Sequence, residues 1–340
     1  MNMQPETRTQ AQDSRMKAAV YRRFGAPEVV LIEELPKPAP GPGEVLVKVH
    51  ASTVSAADHR ARGRTAPKGL GLMVALALGV FRPRKRVLGM DVAGVVEAVG
   101  ADVTLFAPGD EVIAMLGGTF GGHAEYVCIP QGGAITAKPR NMSFEEGVAL
   151  VFGGITAHAF LSRTTVKPGD TVLVNGASGA VGTAAVQLAK ELGAHVTGVC
   201  SGANRDLVTA LGADRVIDYT TEDFLTEGQS YDVLMDCVGN APFERAGACV
   251  NPGGALLLVI SDLKGILLAS RHSAQSGKLV TAGNVAYTAE ALAFLVGLAE
   301  AGRLHAVIDR SYDLADIAPA HRFVDTGRKK GSVVLRLANG

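Results

Sequence analysis

One stretch limits what this chain can fold into more than any other. NGASGAVG, Asn175–Gly182, follows the apolar run TVLV and opens the periodic run TAAVQLAKELG, and a second apolar run, HVTGVC, comes next. Strand, glycine turn, helix and strand thus succeed one another between Lys167 and Ser201, and such a unit builds a parallel sheet covered by helices on both faces. Aligned on the dinucleotide fingerprint, Ala177, Gly179 and Gly182 take the three glycine positions, with Gly176 just ahead. Gly179 lets a pyrophosphate approach the backbone, Gly182 lets helix pack on strand, and the anion rests on free N–H groups at the helix start. Asn175, Gly176, Ala177, Ser178, Gly179, Ala180 and Val181 are therefore the candidate phosphate cradle. The competing reading is a tight turn in a sheet that binds nothing.

The end of the second strand bears on cofactor choice. An NAD site usually carries Asp or Glu there, about 20 residues after the glycines, to hold the ribose 2′-hydroxyl. This chain has Ser201 and then Gly202-Ala203-Asn204-Arg205. A hydroxyl and a guanidinium suit a 2′-phosphate that a carboxylate would repel, so Ser201 and Arg205 point to NADPH. A solvated arginine at a helix start is the plainer alternative.

The remaining organisation follows from texture. DRVIDY (Asp214–Tyr219), YDVLMDCVG (Tyr231–Gly239) and GALLLVI (Gly254–Ile260) read as further buried strands with helices between. Before Asn141 the chain is mostly β, with runs such as EVLVKVH (44–50), VAGVVEAV (92–99) and EVIAM (111–115) broken by Gly and Pro. Ser143, with Glu145 and Glu146 behind it, caps one helix, and a second is expected over Thr156–Leu161. The expectation is an α/β chain: a β-rich domain over 16–140 and 286–340, a doubly wound parallel-sheet domain over 141–285, and a disordered extension over 1–15.

Composition excludes several classes. The 340 residues hold 33 Lys+Arg against 33 Asp+Glu and no Trp, which gives no global charge for nucleic acid and few rings for base stacking. The longest uncharged apolar stretch, Gly69–Phe81, is too short for a bilayer that needs about 20 residues, so no integral membrane span is expected. It reads as a buried or pocket-covering helix, or more sharply as a lid for a lipophilic acceptor or a shallow membrane contact through Arg82, Arg84, Lys85 and Arg86. The polar first fifteen residues lack a secretory core, and the cysteines at 128, 200, 237 and 249 have no C-x-x-C spacing. Both fit a cytoplasmic protein.

AVYRRFGAPEVVLIEELPKPAPGPGEVLVKVHAS, GMDVAGVVEAVG, PGDEV, GGITAHAFL, VNGASGAVGTAAVQLAKELGA and LGADRVIDY together resemble the medium-chain dehydrogenase/reductase superfamily. They look most like its zinc-independent quinone oxidoreductase branch, related to zeta-crystallin, and the likeness runs from Lys17 to about Leu337. The resemblance implies a GroES-like catalytic domain with a Rossmann domain inserted, and often a homodimer. It implies Ser55 as a polar donor beside nicotinamide and substrate, Asp58 as a recurrent acid, and Thr156 at the cofactor. It also places Tyr219 and Val238 by the adenosine, Ile260 and Ser261 by the nicotinamide, and Lys330 reaching over from the returning segment.

Zinc-dependent members carry Cys, His and Glu where this chain has Ser55, Met90 and Asp91, and their cysteine-rich loop is missing from Ala114–His123. Ser and Met are poor zinc ligands, and His59 and His123 lack spaced partners, so no metal is expected. Without a Lewis acid nothing stabilises an alkoxide, whereas a quinone, enal or enone needs only a hydrogen-bond donor at its developing oxyanion. The leading expectation is an NADPH-dependent reductase of such small-molecule acceptors. An NADP-linked alcohol or aldehyde dehydrogenase and a non-catalytic NADPH-binding structural or RNA-binding protein stay open.

Overall fold

The computed structural model describes residues 15–226, 228–283 and 285–337. Of the extension expected over 1–15, residues 1–14 lie outside the described residues, and Arg15 already belongs to a strand. Strands β1 (Arg15–Tyr21) and β2 (Val30–Pro36) pair antiparallel. There follow β3 (Glu44–Thr53), helices α1 (Ala56–Gly63) and α2 (Gly71–Leu78), β4 (Asp91–Val99), β5 (Glu111–Met115), β6 (Tyr126–Pro130) and β7 (Ala134–Ala137). Next come α3 (Phe144–Leu161), β8 (Thr171–Asn175), α4 (Ala180–Glu191), β9 (His195–Cys200), α5 (Arg205–Ala210), β10 (Arg215–Asp218) and β11 (Tyr231–Asp236). The chain then runs through α6 (Phe243–Ala246), β12 (Val250–Leu258), α7 (Leu263–Ser276), β13 (Leu279–Ala282), α8 (Ala289–Glu300), β14 (Ile308–Asp313), α9 (Ile317–Asp325) and β15 (Ser332–Arg336).

Two larger sheets result. One has the order β10-β9-β8-β11-β12-β13 with every neighbour parallel. That is the Rossmann order, in which a dinucleotide lies across the carboxyl ends of the strands where the order reverses, here at β8 and β11. The other has the order β14-β15-β3-β4-β5-β7, with β6 on β3. Val45, Val47, Val49, Val92, Val96, Val112 and Leu335 fill its core. Because β14 and β15 join this sheet, the chain leaves the first layer at α3, builds the parallel sheet, and returns.

Helix α3 links the two. Its start is a capping box: Ser143 Oγ accepts from the Glu146 N–H at 3.2 Å, and a Glu146 carboxylate oxygen accepts from the Ser143 N–H at 2.8 Å. Two helices were expected over this stretch, the second over Thr156–Leu161, but there is one, which runs through Gly153-Gly154. The glycines serve packing: a Cβ on Gly153 would lie 2.2 Å from the Ala180 carbonyl of α4, and one on Gly154 3.0 Å from Leu295 of α8. By length and composition α3 is apolar enough to cross a bilayer, yet 67% of it is buried inside the protein, as in a core helix. The opposite holds for α2, read as buried or pocket-covering: none of its residues is buried.

Candidate active site

The glycine turn lies at the carboxyl end of β8. Gly176 adopts φ +80°, and a Cβ there would meet Val238 Cγ2 at 2.7 Å. A Cβ on Gly182 would stand 2.1 Å from the Gly176 carbonyl. Both glycines are required by the fold itself. Gly179 is not: it has φ −81° and ψ 172°, and a Cβ there meets nothing nearer than 3.5 Å. The space over it is open. Gly179 also caps α4 without any side-chain hydrogen bond, so the first-turn N–H groups, including those of Ala180 and Val181, have no intrahelical acceptor. An open backbone face over unpaired donors fits a dinucleotide pyrophosphate.

The turn is braced from three sides. Asn175 donates through Nδ2 to Asp236 (2.8 Å) and to Asn240 (2.6 Å). Asn204 donates to Ser178 Oγ at 3.0 Å, and the Gly331 N–H of the returning segment donates to the Ser178 carbonyl at 2.8 Å. Ala177 is fully buried beneath. Asp236, which the motif reasoning missed, also accepts from the N–H groups of Val238, Gly239 and Ala241. It holds the whole loop after β11, and the only sequence signal was an acid ending an apolar strand.

Toward the adenosine end, Ser201 follows β9 half-buried and Tyr219 is exposed. Arg205 is exposed and donates to the Val216 carbonyl at 3.0 Å. Asp218 lies beside it with its charge held: Thr220 donates through its hydroxyl and N–H, and these bonds keep the carboxyl below its ordinary range. At the other end a cavity of about 590 Å³ opens between the two sheets. Asp236, Gly239, Ile260 and Ser261 line it from the Rossmann side, and His59, Arg60, Lys68 and Asp325 from the other. Burial pulls the Arg60 guanidinium down from its usual pKa. His59 Nδ1 lies 2.6 Å from Asp325, which also binds the buried Arg62 at 2.6 Å, while His123 Nε2 sits 2.9 Å from the Thr53 carbonyl.

Ser55 and Asp58 are neighbours in a capping box at the start of α1. One Asp58 oxygen accepts from the Ser55 N–H (2.8 Å) and hydroxyl (2.5 Å), and the other from the Gly89 N–H (2.8 Å). The Ser55 hydroxyl proton therefore points at Asp58 rather than into the cleft. Asp91 accepts from the Thr53 N–H and hydroxyl at 2.7–2.9 Å, and burial, the largest influence, pushes its carboxyl up to about 7. Among the described residues, no group of three or more His, Cys, Asp or Glu could hold a metal ion.

Thr156 is buried on α3, and its hydroxyl makes no hydrogen bond of normal geometry. Its neighbour is the Tyr287 phenol, whose pKa burial raises. The Tyr287 ring also faces Gly117, whose N–H, with that of Leu116, donates to the Met90 carbonyl. Tyr287 thus touches both Thr156 and the Gly117 turn that holds the Met90 carbonyl, and no motif pointed to it. The returning segment carries two adjacent lysines. Lys330 is exposed, with its N–H on Asp309 at 2.7 Å. Lys329 is the part-buried one, donating to the Gly331 carbonyl at 2.6 Å, and burial lowers its pKa to about 8 against the pull of Asp309 and Asp91.

Comparison with known proteins agrees with this geometry. Residues 41–140 match the alcohol dehydrogenase GroES-like domain family and residues 211–335 a family described as zinc-binding dehydrogenase. The chain is 32% identical over 336 residues to the chloroplastic quinone-oxidoreductase QR1 of Triphysaria versicolor, covering 94% of this chain and 98% of that one. It is 31% identical to the 2-methylene-furan-3-one reductase of Solanum lycopersicum, over 95% of this chain and 79% of the relative. The solved quinone oxidoreductase of Coxiella burnetii superposes with a TM-score of 0.85 at 29% identity, over 95% of this chain and 100% of that one. With the parallel sheet, its open glycine cradle and the returning β14 and β15, these likenesses make the chain a member of the quinone oxidoreductase-like branch of the medium-chain dehydrogenase/reductase superfamily, which works with a nicotinamide cofactor.

Proposed function

We propose that the protein is an NADPH-dependent reductase that transfers hydride to a quinone or an α,β-unsaturated carbonyl without zinc. The observations that carry this reading are the open phosphate cradle and the presence of Ser55, Met90 and Asp91 at the positions where the related dehydrogenases place metal ligands. A serine proton committed to a carboxylate, a thioether and a carboxylate held by Thr53 form a poor donor set for zinc. The names of the relatives from Triphysaria versicolor and Solanum lycopersicum favour the same acceptor classes.

A bound nicotinamide supplies the hydride. The protein positions it: the α4 N–H groups hold the pyrophosphate, Lys329 adds a cation beside the turn, and Ser201 with Arg205 takes the 2′-phosphate in exchange for the Val216 carbonyl. The acceptor oxygen gains charge as hydride arrives and needs a donor. Ser55, expected in that role, gives its proton to Asp58, so the Tyr287 phenol beside Thr156 is the better placed donor. Its raised pKa keeps it protonated at neutral pH.

The test is oxidation of NADPH and NADH against a panel of quinones, enals and enones, with zinc measured on the same sample. The reading requires turnover by metal-free protein with NADPH preferred, and a large drop in kcat for Tyr287→Phe. Turnover of alcohols that follows bound zinc would replace it with the dehydrogenase reading. For the cofactor, Arg205→Glu should weaken NADPH binding far more than NADH binding, and equal losses would remove the 2′-phosphate assignment.

A further inference from the structure

We infer that α2 and the basic segment behind it form a docking surface for an anionic bilayer. Helix α2, GLMVALAL, is apolar on every side and buries none of its residues. Leu72 is 74% exposed and Phe81, just beyond the helix, 91%; Met73, Leu76 and Val80 are exposed with them. Leu267, on α7, adds to the apolar surface at 70% exposure, and α7 begins against the chain leading into α2, where the Leu263 N–H donates to the Lys68 carbonyl at 3.0 Å. Five exposed apolar side chains gathered on one short helix and the turn behind it mark an interaction site.

The charge beside it selects the partner. Arg82, Arg84, Lys85 and Arg86 are all exposed. Their position is ordered: Gly79 turns the chain at φ +116°, where a Cβ would strike the Arg82 carbonyl at 2.0 Å. The Arg84 N–H then donates back to the Leu78 carbonyl at 2.8 Å, and Arg64 donates to the Val80 carbonyl. Among the described residues no carboxylate forms a salt bridge with these four cations, and Glu33, which acts on Arg86 from a distance, is held by Arg22. An apolar wedge fringed by unpaired cations matches a membrane surface, where the side chains enter the acyl boundary and the cations meet anionic headgroups. A second copy of the chain fits less well, because a two-fold contact across this patch would bring the same four cations together. The surface also adjoins the cleft, since Thr65, Ala66, Pro67 and Lys68, which lead into α2, line the cavity. A lipophilic molecule leaving the bilayer would enter there.

This inference goes beyond the reductase reading, because vesicle binding needs no turnover. The experiment is co-sedimentation of the full chain with vesicles of phosphatidylcholine alone and of phosphatidylcholine with roughly a third phosphatidylglycerol. Two surface variants, L72D/L76D and R82E/R84E/K85E/R86E, are run alongside, with light scattering and circular dichroism on each. We expect binding to the anionic vesicles only, weakened at least about tenfold by high salt and by either variant, with folding and oligomeric state unchanged. Failure to bind anionic vesicles, binding that survives both variants, or a change in oligomeric state caused by either variant would overturn the assignment, the last by making the patch a protein interface.

Discussion

The two walls of the cleft are built on opposite plans. On the Rossmann wall the groups aimed at a ligand are backbone N–H donors left unpaired by helix geometry, and the space above Gly179 is empty. On the GroES-like wall the polar atoms of Ser55, Asp58 and Asp91 are already bonded to one another, to Thr53 or to Gly89. A carboxylate that accepts three buried donors holds a loop in place, whereas unpaired donors over open space hold a ligand. On this account one wall binds the cofactor through its backbone, with Lys329 beside the glycine turn, and the other contributes rigidity.

The largest effect should come from the rigid wall. Asp58→Ala strands three donors, at about 1–3 kcal/mol for each buried unpaired group, so denaturant unfolding should show a loss of roughly 3–9 kcal/mol. Unchanged stability with lost turnover would instead make Asp58 a chemical group. Asp91 sharpens the same point through pH. Its folded pKa, about 7, lies above the unfolded value of 3.8. The folded state therefore binds the extra proton between those values, and stability falls as pH rises from about 4 to about 7. Relative to Asp91→Asn, the wild type should lose on the order of 4 kcal/mol across that window; parallel pH–stability curves would contradict the burial argument.

Smaller effects belong to the binding wall. Gly179→Val should leave the melting temperature nearly unchanged and weaken NADPH binding about a hundredfold, or about 2.7 kcal/mol. The matching Gly182→Val should instead unfold early, since its side chain would collide with the Gly176 carbonyl. If the two variants behaved alike, the distinction between a ligand glycine and a packing glycine would fail. Lys329 is expected to give the smallest change. NADPH affinity should decline as pH passes through about 8, where Lys329 loses its charge, and Lys329→Met should cost about tenfold at neutral pH, or about 1.4 kcal/mol, and flatten that slope in a fluorescence titration.

What could be read from the sequence depended on whether a signal was local. The run EVIAM became β5 residue for residue, and the turn at 176–182 fell where strand, glycine and helix periodicity placed it. Such signals depend on neighbours along the chain. Helix α3 runs unbroken through Gly153-Gly154, a pair that weakens an isolated helix, and only the approach of α4 and α8 shows why it is tolerated. Lys329 and Lys330 are adjacent and alike in sequence, and which one turns inward is set by the pairing of Gly331 with the glycine turn. Tyr287 and Thr156 are far apart in the chain and meet only after the return of the last segment. The apolar runs of α2 and α3 likewise differ little in sequence, yet one is a core helix and the other leaves every residue at least partly exposed.

A dinucleotide seated on the open glycine turn should deliver hydride to an electron-poor acceptor. The most direct measurement is product analysis after a single turnover of metal-free protein, using each of the two C4-deuterated epimers of NADPH in turn with an enone. Deuterium is expected on the β-carbon of the reduced product from one epimer only, with loss of the transfer at the same cofactor concentration in Gly179→Val. Binding of NADPH with no deuterium in any product, or transfer undiminished by that substitution, would contradict it.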